Sequence, residues 1–216
     1  MRILALEFSS PCRAVALVEV KTAGTTLLGQ VADRDYRGKT GLMLIEQTLG
    51  AAGAAPSDVD LIAVGRGPGS YTGIRAAIAL AQGWQLGRST PIVGISTVEI
   101  LAAQCAALGM TGTVQIIIDA QRREVYSALY AIENGEVQLR EDLRIISADS
   151  LQPGPEVLIV GPEAPRFCPA GRELLPDAAT LALLAARDGN LQPGELLEPI
   201  YLRATTFVKA PPPRQI

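Results

Sequence analysis

The residues best suited to chemistry form a glycine-rich loop, VGRGPGSYTGIR, at residues 64–75. Glycine permits positive φ and close approach of a second backbone, and proline restricts φ, so the loop is a built turn and not a flexible linker. Where such a turn leads into a helix, its backbone N–H groups can bind an anion or another chain. The residues that we predict to make such contacts are Gly67, Pro68, Gly69, Ser70, Tyr71, Thr72, Gly73 and Arg75.

The spacing within this loop excludes two common nucleotide-binding motifs. A P-loop has lysine after its last glycine, where this chain has Ile74, and the dinucleotide-binding spacing G-x-G-x-x-G also fails. Either Ser70 or Thr72 can cap the helix that follows. Arg66 and Arg75 are suited to binding an anion or a partner carboxylate, or are simply solvated. The loop is therefore either a structural turn or a contact site.

Apolar periodicity predicts an α/β protein with two related halves. The first half begins with a three-stranded meander and continues with helices and strands; the predicted elements are strands at 3–7, 14–18, 26–31, 60–64 and 92–95 and helices at 42–52, 73–86 and 97–108. A second meander follows at 114–119, 124–130 and 137–146, with only a strand at 157–160 and a helix at 176–187 after it. We predict lobes at residues 1–109 and 110–206, the second reduced, and a proline-rich mobile tail at residues 207–216.

Composition narrows the classes of function. The chain has 216 residues, 48% of them hydrophobic, and no histidine, which excludes serine–histidine triads and HExxH zinc sites. Its net charge of −3 argues against sequence-independent binding of nucleic acid by this chain. No run of eighteen apolar residues and no signal-peptide core is present, so we expect a cytoplasmic protein with no membrane contact.

Four motifs together resemble the bacterial TsaB (YeaZ) family. They are GRGPGSYTGIR at 65–75, ILALEFSS at 3–10, DAQRREVY at 119–126 and PIYLR at 199–203. The resemblance implies an actin-like/Hsp70-like (ribonuclease H-like) two-lobed fold. It also implies a non-catalytic subunit of the machinery that forms N6-threonylcarbamoyladenosine at position 37 of tRNAs reading codons that begin with A.

The resemblance also implies the partners. The transferase chemistry belongs to a metal-containing, TsaD-like paralogue, helped by a TsaE-like ATPase, so ATP and metal belong to partner subunits and none is assigned to this chain. Contact with tRNA is expected mainly through the complex, and a homodimer is possible. By position, two helices of the first lobe resemble the family's interface, and the interface residues predicted there are Leu42, Ile45, Leu49, Ala76, Ala77, Leu80 and Ala81. The alternative is that the alanines pack on the chain's own sheet.

Two segments depart from the family pattern. Glu7-Phe8-Ser9 stands where the family has Asp-Thr-Ser, and residues 37–41 lack the histidine that is common there. Glu7 and Asp119 each end an apolar strand beside a turn, where actin-like ATPases hold metal-bound nucleotide, and we interpret them as a vestigial pair. An actin-like small-molecule kinase or ATPase remains the alternative function, although few residues follow Asp119 to build its second lobe. A metallopeptidase is excluded by the absent histidines.

Overall fold

Two five-stranded sheets of the same topology form the framework of the protein, seen here in a computed structural model. The structure describes residues 1–34, 40–151, 154, 156–187, 191 and 193–203. The strand orders are β3-β2-β1-β4-β5 and β8-β7-β6-β9-β10. The strands are β1 (Arg2–Glu7), β2 (Arg13–Lys21), β3 (Gly24–Asp33), β4 (Leu61–Gly65), β5 (Ile92–Ile95), β6 (Gly112–Asp119), β7 (Glu124–Glu133), β8 (Glu136–Ser147), β9 (Val157–Gly161) and β10 (Arg172–Glu173).

Each sheet starts with an antiparallel meander and ends with two parallel strands. In the first sheet β1 pairs antiparallel with β2 and parallel with β4, and in the second β6 pairs antiparallel with β7 and parallel with β9. Strands β1 and β4 are almost wholly buried, because helices cover both faces of the first sheet. The shared topology aligns Glu7 with Asp119 as the last residue of each first strand.

The helices join the two sheets. Helices α1 (Gly41–Ala51) and α2 (Tyr71–Arg88) cover one face of the first sheet, in a core that includes Leu6, Leu44 and Ile78. Helix α5 (Ala178–Arg187), which follows the second sheet in sequence, covers the opposite face of the first sheet. Helix α3 (Thr97–Ala107), which follows the first sheet, packs on the second. The crossed packing of α3 and α5 binds the two halves together.

The predicted strands and helices all occur, with ends shifted by a few residues. Among the described strands and α-helices, two short elements have no counterpart in the prediction: β10 and the four-residue helix α4 (Ala164–Phe167). Helix α4 stands between β9 and β10, where the first half has the eighteen-residue α2, so the second lobe is reduced as expected. The division at residues 109 and 110 stays a prediction, and the tail at 207–216 lies outside the described residues. Among the described helices, none is long and apolar enough to span a membrane.

Candidate functional site

A cleft of about 460 Å³ lies where the strand-end turns of the two sheets face each other. We call it the interlobe cleft. It is bounded by the β1–β2 turn, the glycine loop, the β6–β7 turn and the segment at residues 199–201; its polar and aromatic lining includes Ser9, Ser10, Ser70, Tyr71, Asp119, Gln121, Tyr126, Glu163 and Tyr201. Of the eight predicted contact residues, the structure brings Gly69, Ser70 and Tyr71 to this concavity, together with one predicted carboxylate, Asp119.

The glycine loop packs directly on the β1–β2 turn. The Ser70 backbone N–H donates to the Ser9 carbonyl oxygen at 2.6 Å. A Cβ atom at Gly69 would overlap the Ser9 carbonyl, and one at Gly73 would overlap the Phe8 carbonyl. These glycines are required because two backbones meet there without room for a side chain.

The start of α2 is capped by Ser70. Its hydroxyl accepts from the Gly73 N–H at 3.2 Å, whereas Thr72 is exposed on the first turn. Because this bond satisfies one of the free N–H groups at the helix start, the choice that the sequence left open between Ser70 and Thr72 is settled for Ser70.

The rest of the loop is bonded to its own chain as well. The Arg66 N–H donates to the Ile95 carbonyl at 2.9 Å, and the Gly67 carbonyl accepts from the Thr97 N–H at 2.8 Å. The Arg66 carbonyl accepts from the Ile200 N–H at 2.9 Å. These contacts support the structural-turn interpretation, and a direct role for the loop in binding an anion or a partner stays a prediction.

Glu7 is a fully buried carboxylate at the end of β1. Its Oε1 accepts from the Ser9 N–H at 2.7 Å, while Oε2 lies against Gly65 and has no hydrogen-bond partner among the described residues. Burial raises the pKa of Glu7 to about 7, the hydrogen bond from Ser9 opposes this, and the charge of Asp177 adds to it. Near neutral pH the side chain is therefore about half protonated, and it does not line the interlobe cleft.

Asp119 occupies the same position in the second sheet and is held differently. Its Oδ1 accepts from the Gln121 N–H at 2.7 Å, and its Oδ2 accepts from the Arg166 guanidinium at 2.8 Å. The Asp119 N–H donates to Glu163 Oε2 at 3.3 Å, and burial raises the pKa of Glu163. No group of three or more carboxylate or thiol ligands that could hold a metal ion occurs among the residues described. Both predicted carboxylates are thus engaged within the chain.

The PIYLR segment, residues 199–203, crosses the cleft. Tyr201 packs near Tyr71 with ring centroids 6.0 Å apart, and the Arg75 guanidinium lies 4.6 Å above the Tyr71 ring. Arg203 donates to the Ala120 carbonyl at 2.9 Å and to Glu124 at 2.5 Å, so the segment contacts both halves. The sequence analysis found this motif but predicted no structural role for it. The sequence also provided no indication of the role of Arg166, which lies 47 residues from its partner Asp119.

Comparisons with known proteins agree with this architecture. A family model described as TsaD, tRNA N6-adenosine threonylcarbamoyltransferase, matches residues 30–156, more than half of the chain. The tRNA threonylcarbamoyladenosine biosynthesis protein TsaB of Escherichia coli is 28% identical over 234 residues, covering all of both chains. Its namesake in Bacillus subtilis is 31% identical over 153 residues, covering 70% of this chain and 65% of the relative. The chain belongs to the TsaB (YeaZ) family.

The solved structure of YeaZ from Pseudomonas aeruginosa extends the match to the fold. It superposes with a TM-score of 0.78 at 27% identity and covers 93% of this chain and 99% of its own. The actin-like, two-lobed α/β fold that the resemblance implied is therefore confirmed. Of the two segments of this TsaB-family chain that depart from the family pattern, the first places Glu7 at the end of β1. In the second, residues 37–39 lie outside the described part of the chain.

The predicted interface of this TsaB-family chain needs a correction. Ile45, Leu49, Ala77 and Ala81 are buried in the core against the first sheet, so they form no outer surface. The alternative that the alanines pack on the chain's own sheet was right for Ala77 and Ala81, and Ile45 and Leu49 are buried in the same core because α1 and α2 are apolar on more than one side. The apolar residues and glycine of these helices that remain exposed or half-buried include Leu42, Met43, Ala76, Ala79, Leu80 and Gly83, among which Ala76 and Leu80 also pack partly on the core. We call these six residues the α1–α2 face.

Proposed function

We propose that this TsaB-family chain is a non-catalytic scaffold subunit of the complex that forms N6-threonylcarbamoyladenosine at position 37 of tRNAs reading codons that begin with A. As a member of the TsaB family, it takes part in tRNA threonylcarbamoyladenosine biosynthesis. In the proposal the α1–α2 face binds a TsaD-like transferase, a TsaE-like ATPase acts in the same complex, and ATP and metal are held by those partners.

The observation that carries the proposal is the state of the two strand-end carboxylates. A metal-bound nucleotide in an actin-like cleft needs charged carboxylates that face the ligand. Glu7 is buried with a pKa near 7, and Asp119 is bonded to Arg166 and to the Gln121 N–H. A pseudoenzyme tolerates both arrangements, whereas a kinase or ATPase would have to break them during turnover.

The α1–α2 face supports a protein contact. Leu42 and Met43 of α1 are exposed large apolar side chains, 55% and 40% accessible, and α2 carries the small exposed residues Ala79 and Gly83. A methyl group added at Gly83 would meet nothing within 4 Å, so the helix surface is open to close approach by another helix. Exposed apolar side chains next to a flat helix surface are typical of protein interfaces. In isolation the same face would support a homodimer.

Reconstitution tests the proposal. Threonylcarbamoyl incorporation into a tRNA reading codons that begin with A is followed with the transferase, the ATPase and the adenylate-forming enzyme, with and without this chain. We expect incorporation to require the chain, and Ala79→Glu on the α1–α2 face to remove most of it, because the new charge would be buried without a partner. Ala107→Glu, at the exposed end of α3, is the matched control and should retain activity.

Two results would overturn the proposal. One is incorporation that is unchanged when the chain is omitted. The other is steady phosphate release from ATP by the isolated chain that is lost on Asp119→Ala, because that would assign catalysis to the cleft. Each variant is first checked for the wild-type circular dichroism spectrum and melting temperature.

A further inference from the structure

A second concavity, of about 360 Å³, adjoins the interlobe cleft on the second lobe. The two share Asp119 and Gln121. The second concavity is lined by Asp119, Gln121, Arg122, Arg123, Ala148, Asp149, Arg166 and Phe167. Three guanidinium groups therefore surround one small polar space in a chain whose net charge is negative. We call Arg122, Arg123 and Arg166 the arginine cluster.

The turn that carries two of these arginines has an unusual backbone. Gln121, Arg122 and Arg123 have φ values of 63°, 57° and 60°, three consecutive left-handed residues without a glycine. Side chains with a Cβ disfavour this conformation, and it persists only where neighbouring contacts enforce it. Asp119 Oδ1 holds the Gln121 N–H, and the Arg123 carbonyl accepts from the Ala148 N–H at 2.9 Å. The turn is thus fixed, and both arginine side chains are exposed on it.

The guanidinium groups keep donors free for a ligand. Arg123 donates to Asp149 at 3.0 Å and Arg166 to Asp119 at 2.8 Å, while Arg122 has no ion-pair partner among the described residues. A guanidinium has five N–H donors, so one bond to a carboxylate leaves most of them available. Arg166 also lies 5.2 Å from the Phe167 ring, which supports its position. The three cations outnumber the two carboxylates in the lining.

We propose that the arginine cluster binds the phosphodiester backbone of RNA. Planar guanidinium groups match phosphate oxygens in pairs, and the Arg123–Asp149 pair, whose side chains are 80% and 70% exposed, exchanges its carboxylate for a phosphate at little cost. The adjoining cleft is lined by Tyr126 and Tyr201, so an unpaired base beside a bound phosphate has an aromatic concavity next to it. This inference rests on the proposed function in one respect, since it takes tRNA as the RNA.

The location of the cluster is compatible with simultaneous partner binding. The arginine cluster is built from the β6–β7 turn and α4, in the second lobe, whereas the α1–α2 face belongs to the first lobe. A transferase on the helical face would therefore leave these arginines accessible to a tRNA held by the same complex.

Direct RNA binding by the full chain tests the inference. The probe is an unmodified tRNA transcript reading codons that begin with A, and binding is measured by fluorescence anisotropy over a series of salt concentrations. Arg122→Gln combined with Arg123→Gln should weaken binding about tenfold and reduce the slope of log K against log salt by about two, because two phosphates are no longer neutralised. Arg140→Gln combined with Arg144→Gln, on exposed positions of β8, removes the same charge and should change affinity by less than about twofold.

One further variant and one further ligand distinguish phosphodiester binding from the alternatives. Arg122→Lys combined with Arg123→Lys keeps the charge and should recover part of the affinity. Inorganic pyrophosphate is titrated separately, because tight binding of pyrophosphate without binding of tRNA would make this a small-anion site and overturn the inference. Absence of tRNA binding by the chain, or equal decreases in affinity for the cluster and β8 variants, would also overturn it. Ala79→Glu should leave RNA binding unchanged, so failure here is separable from failure of the scaffold proposal.

Discussion

The two strand-end turns occupy equivalent places in sheets of the same topology, yet they are held by different kinds of contact. The β1–β2 turn is covered by the glycine loop, backbone against backbone, with the carboxylate of Glu7 buried beneath. The β6–β7 turn accepts one backbone hydrogen bond from Ala148 and is otherwise held by side chains, with Arg166 and Arg203 reaching it from later in the sequence. The first turn is therefore part of the core, and the second is an exposed, charged surface.

The difference indicates how a repeated fold can divide its tasks. In the first half, α1 and α2 follow the meander. The loop from β4 into α2 covers the turn, and the two helices supply the outer face proposed for a partner. In the second half only α4 and a short 3-10 turn at residues 148–150 stand in their place, so the β6–β7 turn stays accessible. Without the two long helices, no described helix covers this turn as α2 and its loop cover the first, and Arg122 and Arg123 are exposed.

The largest effect that we predict comes from a methyl group between the two backbones of the first turn. Gly73→Ala would place a Cβ atom against the backbone carbonyl of Phe8. The overlap is between two backbone segments, so no flexible side chain can move away to relieve it. We expect the free energy of unfolding, measured by urea denaturation, to fall by about 3 kcal/mol or more.

Gly83→Ala is the matched control for this substitution. It lies in the same helix, where an added methyl meets nothing within 4 Å, and it should be neutral or stabilise by up to about 1 kcal/mol, since alanine favours helix. If both alanine variants were equally stable, the backbone contact between the glycine loop and the β1–β2 turn would not be a determinant of stability.

A second prediction concerns the pH dependence that Glu7 gives to the first turn. Its pKa is about 7 in the folded state against 4.5 as the ordinary value, so between these limits the folded state binds more protons than the unfolded state. The contribution of Glu7 to the free energy of unfolding therefore falls as the pH rises from 4.5 through 7, by about 3 kcal/mol in all. Above that range the contribution is constant. Glu7→Gln should remove this component when unfolding free energies are compared from about pH 4.5 to about pH 8.

Glu46→Gln, on the exposed side of α1, controls for the removal of one negative charge. The difference in free energy of unfolding between Glu46→Gln and the wild type should change far less with pH than the difference between Glu7→Gln and the wild type. A difference between wild type and Glu7→Gln that is the same at both ends of the pH range would mean that the Glu7 carboxylate is solvated in the folded protein.

The sequence predicted the elements of this fold better than their contacts. Apolar periodicity located the helices and the meanders, because periodicity reports which residues are buried along one element. It did not decide which alanines of α2 are buried, because alanines at 76, 77, 79 and 81 are compatible with either a core or an interface. The pairing of Asp119 with Arg166 spans 47 residues and depends on α4, which is too short to have a periodic pattern. Contacts of this kind follow from tertiary structure alone.

The smallest predicted effect belongs to the second turn and completes the comparison. Asp119 and Arg166 form an ion pair in which the arginine side chain is 68% exposed and the aspartate side chain 11%, so water and salt screen the pair from its arginine side. A double-mutant cycle with Asp119→Asn and Arg166→Gln should give a coupling energy of about 0.2–1 kcal/mol, and less at high salt. The same cycle on Glu141 and Arg144, an exposed pair on β8, serves as the reference. A coupling above about 2 kcal/mol at the second turn would mean that its side chains fix it as firmly as the backbone contacts fix the first, and the contrast between the two turns would then be wrong.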